Sequence, residues 1–241
     1  EKGASLSLTW KLTGGDREGT CVLAAYYELA EDARLHVSRL ESGLTKTIIY
    51  DQRHSVLAAR ARADFYAAEL GGEKIIVHSY GKLSGDASEM NERAIYAGRG
   101  KQHLDFFYHI NHVGKKTKAE IDLKGALADE SKKIFRGTLD FKRGCAGSVG
   151  DEGDFAIQLD PKTKNISLPL LLCTEDDVQG NHASSAGQLD QNTIYFLMSR
   201  GFTLEEARRI VVEALIRPII DGMDEALREE VLNAVRMKLD K

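Results

Sequence analysis

The sequence predicts a mainly β protein with C-terminal α-helices, in which the β part winds as a coiled solenoid. Three observations predict this class. Runs with a period of two residues, bounded by Gly, Asp and Asn, recur from residue 1 to about residue 172, which is the pattern of short strands. Almost no Asn-Gly or Asp-Gly pair joins neighbouring runs, which disfavours a structure built from hairpins. After Gly187 the apolar residues take up helical spacing.

The composition is that of an ordinary globular protein and excludes several functional classes. The chain has 241 residues, of which 42% are hydrophobic and 29% charged, enough for one or two domains with a substantial core. A net charge of -4 disfavours a nucleic-acid-binding face, which needs clustered Lys and Arg. No apolar run approaches the roughly 20 residues that cross a bilayer. Because the chain begins at Glu1 without a methionine or a recognisable signal peptide, an upstream segment is expected to be missing.

The cysteines are few and far apart, at positions 21, 145 and 173. An odd, sparse set without C-x-x-C spacing predicts a reduced, cytoplasmic protein that is not held together by disulfides. It also disfavours a closed zinc or four-cysteine cluster site within one chain.

The strand-rich region is interpreted as stacked coils of about 20 to 25 residues, which gives about seven turns. Its alternating runs include Ser5–Trp10, Arg34–Leu40, Lys74–Tyr80 and Ala119–Leu123, and segments such as 150–154 are interpreted as turns. The Ala- and Arg-rich stretch Asp51–Leu70 has local helix propensity but is interpreted as a strand pair. A two-layered sandwich remains the alternative to the solenoid.

The C-terminal part begins with two clear helix starts. Asp190 is expected to cap a short helix that runs to Ser199, and Gly201 stands where a left-handed C-terminal residue is wanted. Thr203 and Glu206 then form a capping box, in which each side chain bonds the backbone N–H of the other. These signals predict a helix-turn-helix corner.

Two longer helices follow this corner. The first is expected to bury a stripe of residues three and four apart, comprising Ala207, Ile210, Val211, Ala214, Leu215 and Ile219. Pro218 should kink or end that helix. Asp224 opens the last helix, whose inward residues are expected to be Leu227, Val231, Leu232, Val235 and Leu239. The chain is thereby divided into a β-helix core, residues 1–187, and a helical subdomain, residues 188–241.

Five motifs carry a family resemblance. They are an F-x-G motif at 135–137, an H-x-G-x-x-T motif at 112–117, a D-D-V-x-x-x-H-[GA] motif at 176–183, a G-x-[IL]-D motif at 187–190 and an aromatic-rich S-R-G motif at 195–201. Together they resemble the SufB/SufD family of SUF iron–sulfur cluster assembly scaffold proteins. The D-D-V form is more similar to SufD than to SufB, and the resemblance is strong from about residue 99 to 215.

The resemblance implies a right-handed parallel β-helix followed by helices, and a scaffold rather than an enzyme. It implies that the chain pairs through its β-helix, either with itself or with a SufB-like subunit. It also implies that the C-terminal helices bind a SufC-type ABC ATPase, whose closure would open the paired β-helices where a transient iron–sulfur cluster is built. No nucleotide is expected on this chain. Because the chain is shorter than usual members, a minimal form that pairs with itself is expected.

Two residues are candidate cluster ligands. His182 falls on the family's histidine at the subunit interface, where a neutral imidazole could bind iron; alternatively it hydrogen-bonds across the dimer or caps a turn. Cys173 could supply a thiolate, or could be a buried small hydrophobic residue that continues the run of three leucines before it. Gly180 stands where some family members have a cysteine, so a local thiolate is absent.

The helix-turn-helix corner is the candidate ATPase-binding surface. Its aromatic and Arg side chains are of the kind found at interface centres, namely Tyr195, Phe196, Met198, Arg200 and Phe202, with Gly201 at the turn. The alternative is that Tyr195 and Phe196 dock the helices onto the last coil.

Other chemistry-bearing residues are interpreted as structural. The acids at 175–177 are expected to turn the chain from the last coil into the helices. His109 and His112 should face opposite sides of a strand, and the segment 114–117 lacks the upstream glycine of a phosphate loop. Two other functions stay open: a secreted-type parallel β-helix carbohydrate-active enzyme such as a polysaccharide lyase, and an adaptor without cluster chemistry.

Overall fold

The computed structural model describes residues 1–239 as stacked coils of β-strands followed by α-helices. The strands in chain order are β1 (Ser5–Gly14), β2 (Gly19–Leu29), β3 (Arg34–Gly43), β4 (Thr47–Leu57), β5 (Arg62–Glu69), β6 (Lys74–Leu83), β7 (Glu89–Gly98), β8 (His103–His112), β9 (Lys118–Leu127), β10 (Lys132–Phe141), β11 (Ser148–Gln158), β12 (Lys164–Cys173) and β13 (Val178–Gly187). The helices are α1 (Gln191–Ser199), α2 (Leu204–Asp221) and α3 (Glu225–Leu239).

The strands form two parallel sheets that face each other across a common interior. Odd-numbered strands make one sheet, in the order β1-β3-β5-β7-β9-β11-β13, and even-numbered strands make the other, from β12 to β2. Each coil therefore contributes one strand to each sheet, which confirms the predicted parallel β-helix and excludes the hairpin sandwich.

The predicted coil length was too short. Strand partners are offset by 26 residues (Ile48 with Lys74) to 32 residues (Lys132 with Lys164), and the chain makes about six turns rather than seven. The reason is that each coil holds two long strands, of 8 to 11 residues, instead of shorter ones. The predicted strand pair in Asp51–Leu70 is confirmed by β4 and β5, so packing overrides the helix propensity of its alanines.

The H-x-G-x-x-T motif shapes one turn of the coil stack. The His112 imidazole is buried, stacks on Phe141 with ring centroids 4.3 Å apart, and its Nδ1 lies 2.7 Å from Thr117 Oγ1. Gly114 packs directly on the backbone of Gly85 in the preceding turn, where a Cβ would overlap. Burial lowers the pKa of His112 to about 4, so the ring is neutral in the fold. The motif therefore packs one turn of the stack on the next. His109 faces outward and His112 inward, which confirms that the two rings lie on opposite sides of the strand.

The interior is apolar along much of its length but holds a buried ionic network near the N-terminal coils. Arg39 donates to Asp51 at 2.5 Å, and Arg53 donates to Asp51 at 2.6 Å and to Glu69 at 2.7 Å. Burial also raises the pKa of Glu92, to which Ser79 donates at 2.6 Å. Charged groups in such a place need partners, because an unpaired buried charge costs several kcal/mol.

The helices cover part of the outer face of the odd-numbered sheet. Residues of α2 and α3 share an apolar cluster with sheet residues that include Leu40, Ala68 and Ile95. The predicted stripe of α2 was partly wrong, because the buried residues are Ala207, Val212, Ile216, Ile219 and Ile220. The inward side of α3 is confirmed for Leu227, Val231, Leu232 and Val235.

Pro218 lies within the last turn of α2, which continues to Asp221. None of the helices in residues 1–239 combines the length and apolar character needed to cross a bilayer.

Candidate functional site at the C-terminal end of the β-helix

The coil stack ends with two edge strands, β12 in one sheet and β13 in the other. On β12 the residues that alternate outward are apolar and exposed: Ile166, Leu168, Leu170 and Leu172. Leu168 is 54% exposed and Leu170 48%, so the leucine run does not form the buried strand that it suggested. Of this run only Leu171 packs on the core, and it is partly buried. A long edge strand with an apolar outer face and free backbone groups is a surface suited to pairing.

His182 lies in the middle of β13, a strand that has no alternating apolar pattern in the sequence. It is in register with Glu152 of β11, and lateral neighbours in parallel strands project to the same side of the sheet. Because Glu152 is buried in the interior, His182 also points inward. It is exposed because no further coil covers it.

Glu152 was missed by the sequence analysis, because the Gly- and Asp-rich segment around it was interpreted as a turn. This interpretation was wrong: the segment is the centre of β11. Glu152 is only 4% exposed, and within the described residues neither of its carboxylate oxygens has a hydrogen-bond partner. Burial, with a smaller contribution from Asp154, raises its pKa to about 8.

The F-x-G motif makes room for this carboxylate. A Cβ at Gly137 would overlap Glu152 Oε1, the far end of the side chain on the opposite wall, so glycine at this place leaves the space that the Glu152 carboxyl group occupies. The neighbouring inward acid, Asp154, is paired instead with the buried Lys133. One acid of this coil is thus neutralised by a lysine, and the other is left beside His182.

Cys173 does not join His182 within one chain. It is exposed at the last residue of β12, so it is not the buried hydrophobic residue that the leucine run suggested. His182 is the fifth residue of β13, which places it about 13 Å along that strand from its start at about 3.3 Å per residue. Cys145 is buried as expected for a packing residue, and Cys21 is half-buried.

The acids at 175–177 form a turn, but a different one from that predicted. They connect β12 to β13, so the last coil continues to Gly187 before the helices begin. Glu175 accepts from the backbone N–H of Gly144 at 2.8 Å and of Asp176 at 3.1 Å, which stabilises the turn and lowers the pKa of its carboxyl group.

The helix-turn-helix corner is exposed and well fixed. Tyr195 is 76% exposed and Phe196 54%, so these rings do not dock the tail; the buried residue of α1 is Ile194. The Arg200 guanidinium lies 5.1 Å from the centre of the Phe196 ring. Phe202 is also exposed.

Two predicted capping devices hold the corner in one conformation. Asp190 accepts from the backbone of α1, and Thr203 with Glu206 forms the capping box of α2. Gly201 between them has φ of 99°, a left-handed conformation that suits glycine.

Two further observations limit the chemistry of this chain. Within residues 1–239, no group of three or more His, Cys, Asp or Glu side chains is placed to hold a metal ion. A cavity of about 540 Å³ lies elsewhere, between the coil turns around Gly72 and Gln102 and the end of α3, and none of the predicted site residues lines it.

Known proteins are similar to most of this chain. Residues 1–215 match the family model of the SUF system FeS cluster assembly SufBD core domain. The chain is 26% identical over 204 residues to the iron-sulfur cluster assembly protein SufD of Bacillus subtilis, covering 84% of this chain and 46% of that protein. It is 24% identical over 216 residues to a SufBD family protein of Mycobacterium leprae, covering 86% of this chain and 55% of that protein.

The chain is 21% identical over 189 residues to the iron-sulfur cluster assembly protein SufB of Bacillus subtilis, covering 78% of this chain and 40% of that protein. The chain thus spans about half the length of these curated relatives. The matched residues span the whole β-helix, α1 and most of α2, and so include the H-x-G-x-x-T turn and the terminal strand that carries His182. The chain belongs to the SufBD core family of SUF-system iron–sulfur cluster assembly proteins.

Proposed function

We propose that this chain is a non-enzymatic scaffold of iron–sulfur cluster assembly that pairs through the C-terminal end of its β-helix. The observation that carries this proposal is the apolar outer face of the edge strand β12. Joining two such edges satisfies free backbone groups and places the exposed side chains of one copy beside those of the other, which covers part of their apolar surface. These side chains are Ile166, Leu168, Leu170 and Leu172. Pairing at this end also brings two copies of His182 and Cys173 to one interface, where ligands that are separate within one chain can converge. The partner in this proposal is a second copy or a SufB-like subunit.

Pairing is tested by the mass of the purified chain in solution. We expect a dimer that becomes a monomer when Leu168 and Leu170 are both replaced by Lys, because the like charges of the two copies would lie side by side across the joined edges. Val22→Lys is the matched control, since Val22 is an apolar residue, 68% exposed, on β2, the opposite edge strand of the same sheet. A monomeric wild-type chain that also fails to pair with a SufB-like subunit would contradict the proposal.

We further propose that the exposed corner between α1 and α2 binds a SufC-type ATPase. A rigid corner with two exposed aromatic rings and an Arg stacked on one of them has the composition of an interface centre. The bound ATPase would supply nucleotide hydrolysis, and the three free cysteines suit the reducing compartment in which such a scaffold would work.

Co-purification with the ATPase tests this second contact. We expect the wild-type chain to retain a SufC-type ATPase, and Tyr195→Ala with Phe196→Ala to lose it. Tyr26→Ala serves as the control, because Tyr26 is 66% exposed on the distant strand β2. Equal retention of the ATPase by all three proteins would place its binding site elsewhere.

A further inference from the structure

Four basic side chains form a continuous row across the outer face of the even-numbered sheet. They are Lys74, His103, Lys132 and Lys164, which lie in register on β6, β8, β10 and β12. The residues that follow the first three are buried in the interior, so the side chains of this basic row point outward. Among the described residues, α2 and α3 pack on the other sheet and leave the basic row uncovered.

The positive charges of the basic row are not compensated within the chain. In residues 1–239 none of its three lysines has a carboxylate at ion-pair distance, and the nearby Asp105 pairs instead with Arg136. Like charges in lateral register on adjacent strands repel one another. Burial and the charges of Lys74 and Lys132 lower the pKa of His103, and Asp105 opposes this shift. The row therefore suits a partner that brings negative charge.

An apolar row runs beside the basic row, two residues further along each strand. It consists of Tyr50, Ile76, Ile134 and Ile166 and is interrupted on β8 by Asp105. Ile166 is 45% exposed, and the other three side chains are half-buried. Positive charge and apolar surface thus lie side by side, which favours an amphipathic protein segment over a purely charged polymer.

The spacing along the basic row fits an α-helix. Adjacent strands are about 4.8 Å apart, so Lys132 lies one strand from Lys164, about 4.8 Å, and two strands from Lys74, about 9.6 Å. Carboxylates at positions i, i+7 and i+10 of a helix are separated by about 10.5 and 4.5 Å along its axis and lie on one side of it. Such a helix, laid across the strands, would bring one carboxylate to each lysine and rest its adjoining stripe on the apolar row.

We propose that the basic row and the apolar row together bind an acidic amphipathic helix of a partner protein. A carboxylate of this helix would also give His103 Nε2 the hydrogen-bond partner that it lacks among the described residues. The inference does not rest on the proposed function, because Lys74 and Lys132 lie neither on the pairing edge β12 nor in the helical corner.

Binding of a synthetic Ala-rich helical peptide tests this surface. The probe carries Glu at positions i, i+7 and i+10 with Leu on the adjoining stripe, and the control peptide carries Gln in place of each Glu. We expect the wild-type chain to bind the acidic peptide at least about tenfold more tightly than the control peptide at low salt, with a smaller preference at high salt, because salt screens exposed charges. The double variant Lys74→Gln with Lys132→Gln should lose this preference. The matched control, Lys82→Gln with Lys115→Gln, removes two exposed lysines near the other end of the strands and should keep it.

Two further measurements separate the contributions of the two rows. Ile76→Thr with Ile134→Thr should weaken the binding of both peptides alike, and the bound acidic peptide should raise the pKa of His103 in an NMR titration, because a nearby carboxylate favours the imidazolium. Circular dichroism and the urea midpoint of each variant verify that the fold is kept.

Equal binding of the two peptides by the wild-type chain would overturn the proposal, as would an unchanged preference in the Lys74 and Lys132 double variant. Tighter binding to vesicles of anionic phospholipid than to the acidic peptide would also overturn it and would assign the surface to a membrane instead.

Discussion

Replacing Arg53 with Met breaks the buried ionic network at its centre. Arg53 is 1% exposed and connects Asp51 to Glu69 across the interior, with Nε and Nη2 at 2.9 and 2.6 Å from Asp51 and Nη2 at 2.7 Å from Glu69. After the substitution Asp51 keeps its bond from Arg39, but Glu69 loses its only described cation. Removing one partner of a buried ion pair costs about 3–5 kcal/mol.

The expected loss is measurable by urea unfolding. With an m value of about 3 kcal/mol per M, a loss of about 4 kcal/mol lowers the urea midpoint by roughly 1.3 M. The matched control is Arg62→Met, because Arg62 also pairs with an Asp two residues away, Asp64 at 2.7 Å, but on the outer face of the sheet. A pair of this kind contributes about 0.2–1 kcal/mol.

A second variant separates charge from packing. Adding Glu69→Gln to Arg53→Met removes the unpaired carboxylate, so part of the lost stability should return. Equal midpoints for Arg53→Met and Arg62→Met would refute the idea that this network matters to the fold. No recovery in the double variant would show that the loss comes from packing instead.

Three further outcomes are expected. His112 is neutral in the fold with a pKa near 4, below its ordinary 6.5, so its contribution to stability is complete above pH 6.5 and is lost as pH falls toward 4. Between pH 7 and pH 4 the free energy of unfolding, determined by urea unfolding, should fall by about 3 kcal/mol less in His112→Gln than in the wild-type chain. An unchanged pH dependence of that free energy would contradict this. Cys173 should react with a thiol reagent in the native chain while Cys145 reacts only on unfolding, and rapid labelling of Cys145 in the folded chain would contradict this placement. Gly114→Ala should destabilise the chain by a few kcal/mol in urea unfolding through overlap with the preceding turn, whereas Gly187→Ala, where a Cβ meets nothing within 4 Å, should not; equal losses would contradict the turn packing.

The sequence was sufficient for the architecture because strands and helix caps are local. The alternating run Arg34–Leu40 and the Thr203 capping box are each defined by a few consecutive residues, and the structure contains both. The coil length was not predictable in the same way, because it depends on how far apart in the chain two strands pair. Strand β13 has almost no apolar alternation, so only its pairing with β11 reveals it.

Only part of the candidate site could be predicted from the sequence, because its residues come from strands that are far apart in the chain. His182 was found through a motif, but the partnerless carboxylate of Glu152 lies 30 residues earlier in a segment rich in turn-forming residues. In most strands, acids at every second position indicate the face that is exposed to solvent. In β11 such acids lie on the inward face, so the interior at this end is polar. The feature of the sequence that corresponds to the buried Glu152 is Gly137 on the facing strand, where a Cβ would overlap the Glu152 side chain.

The helices act as a brace laid across the stack. Asp224 and Glu230 bond Thr9 and Lys11 in the first strand, while Lys238 donates to the Leu70 carbonyl two coils away at 2.5 Å. A bare solenoid frays coil by coil from both ends, because each repeat contacts only its neighbours. Here the first coils are tied to the middle of the stack, while the terminal strands β12 and β13 have no comparable tie among the described residues. In the unpaired chain, amide hydrogens should therefore exchange fastest at the His182 end, which leaves that end the most adaptable part of the molecule until a partner joins it.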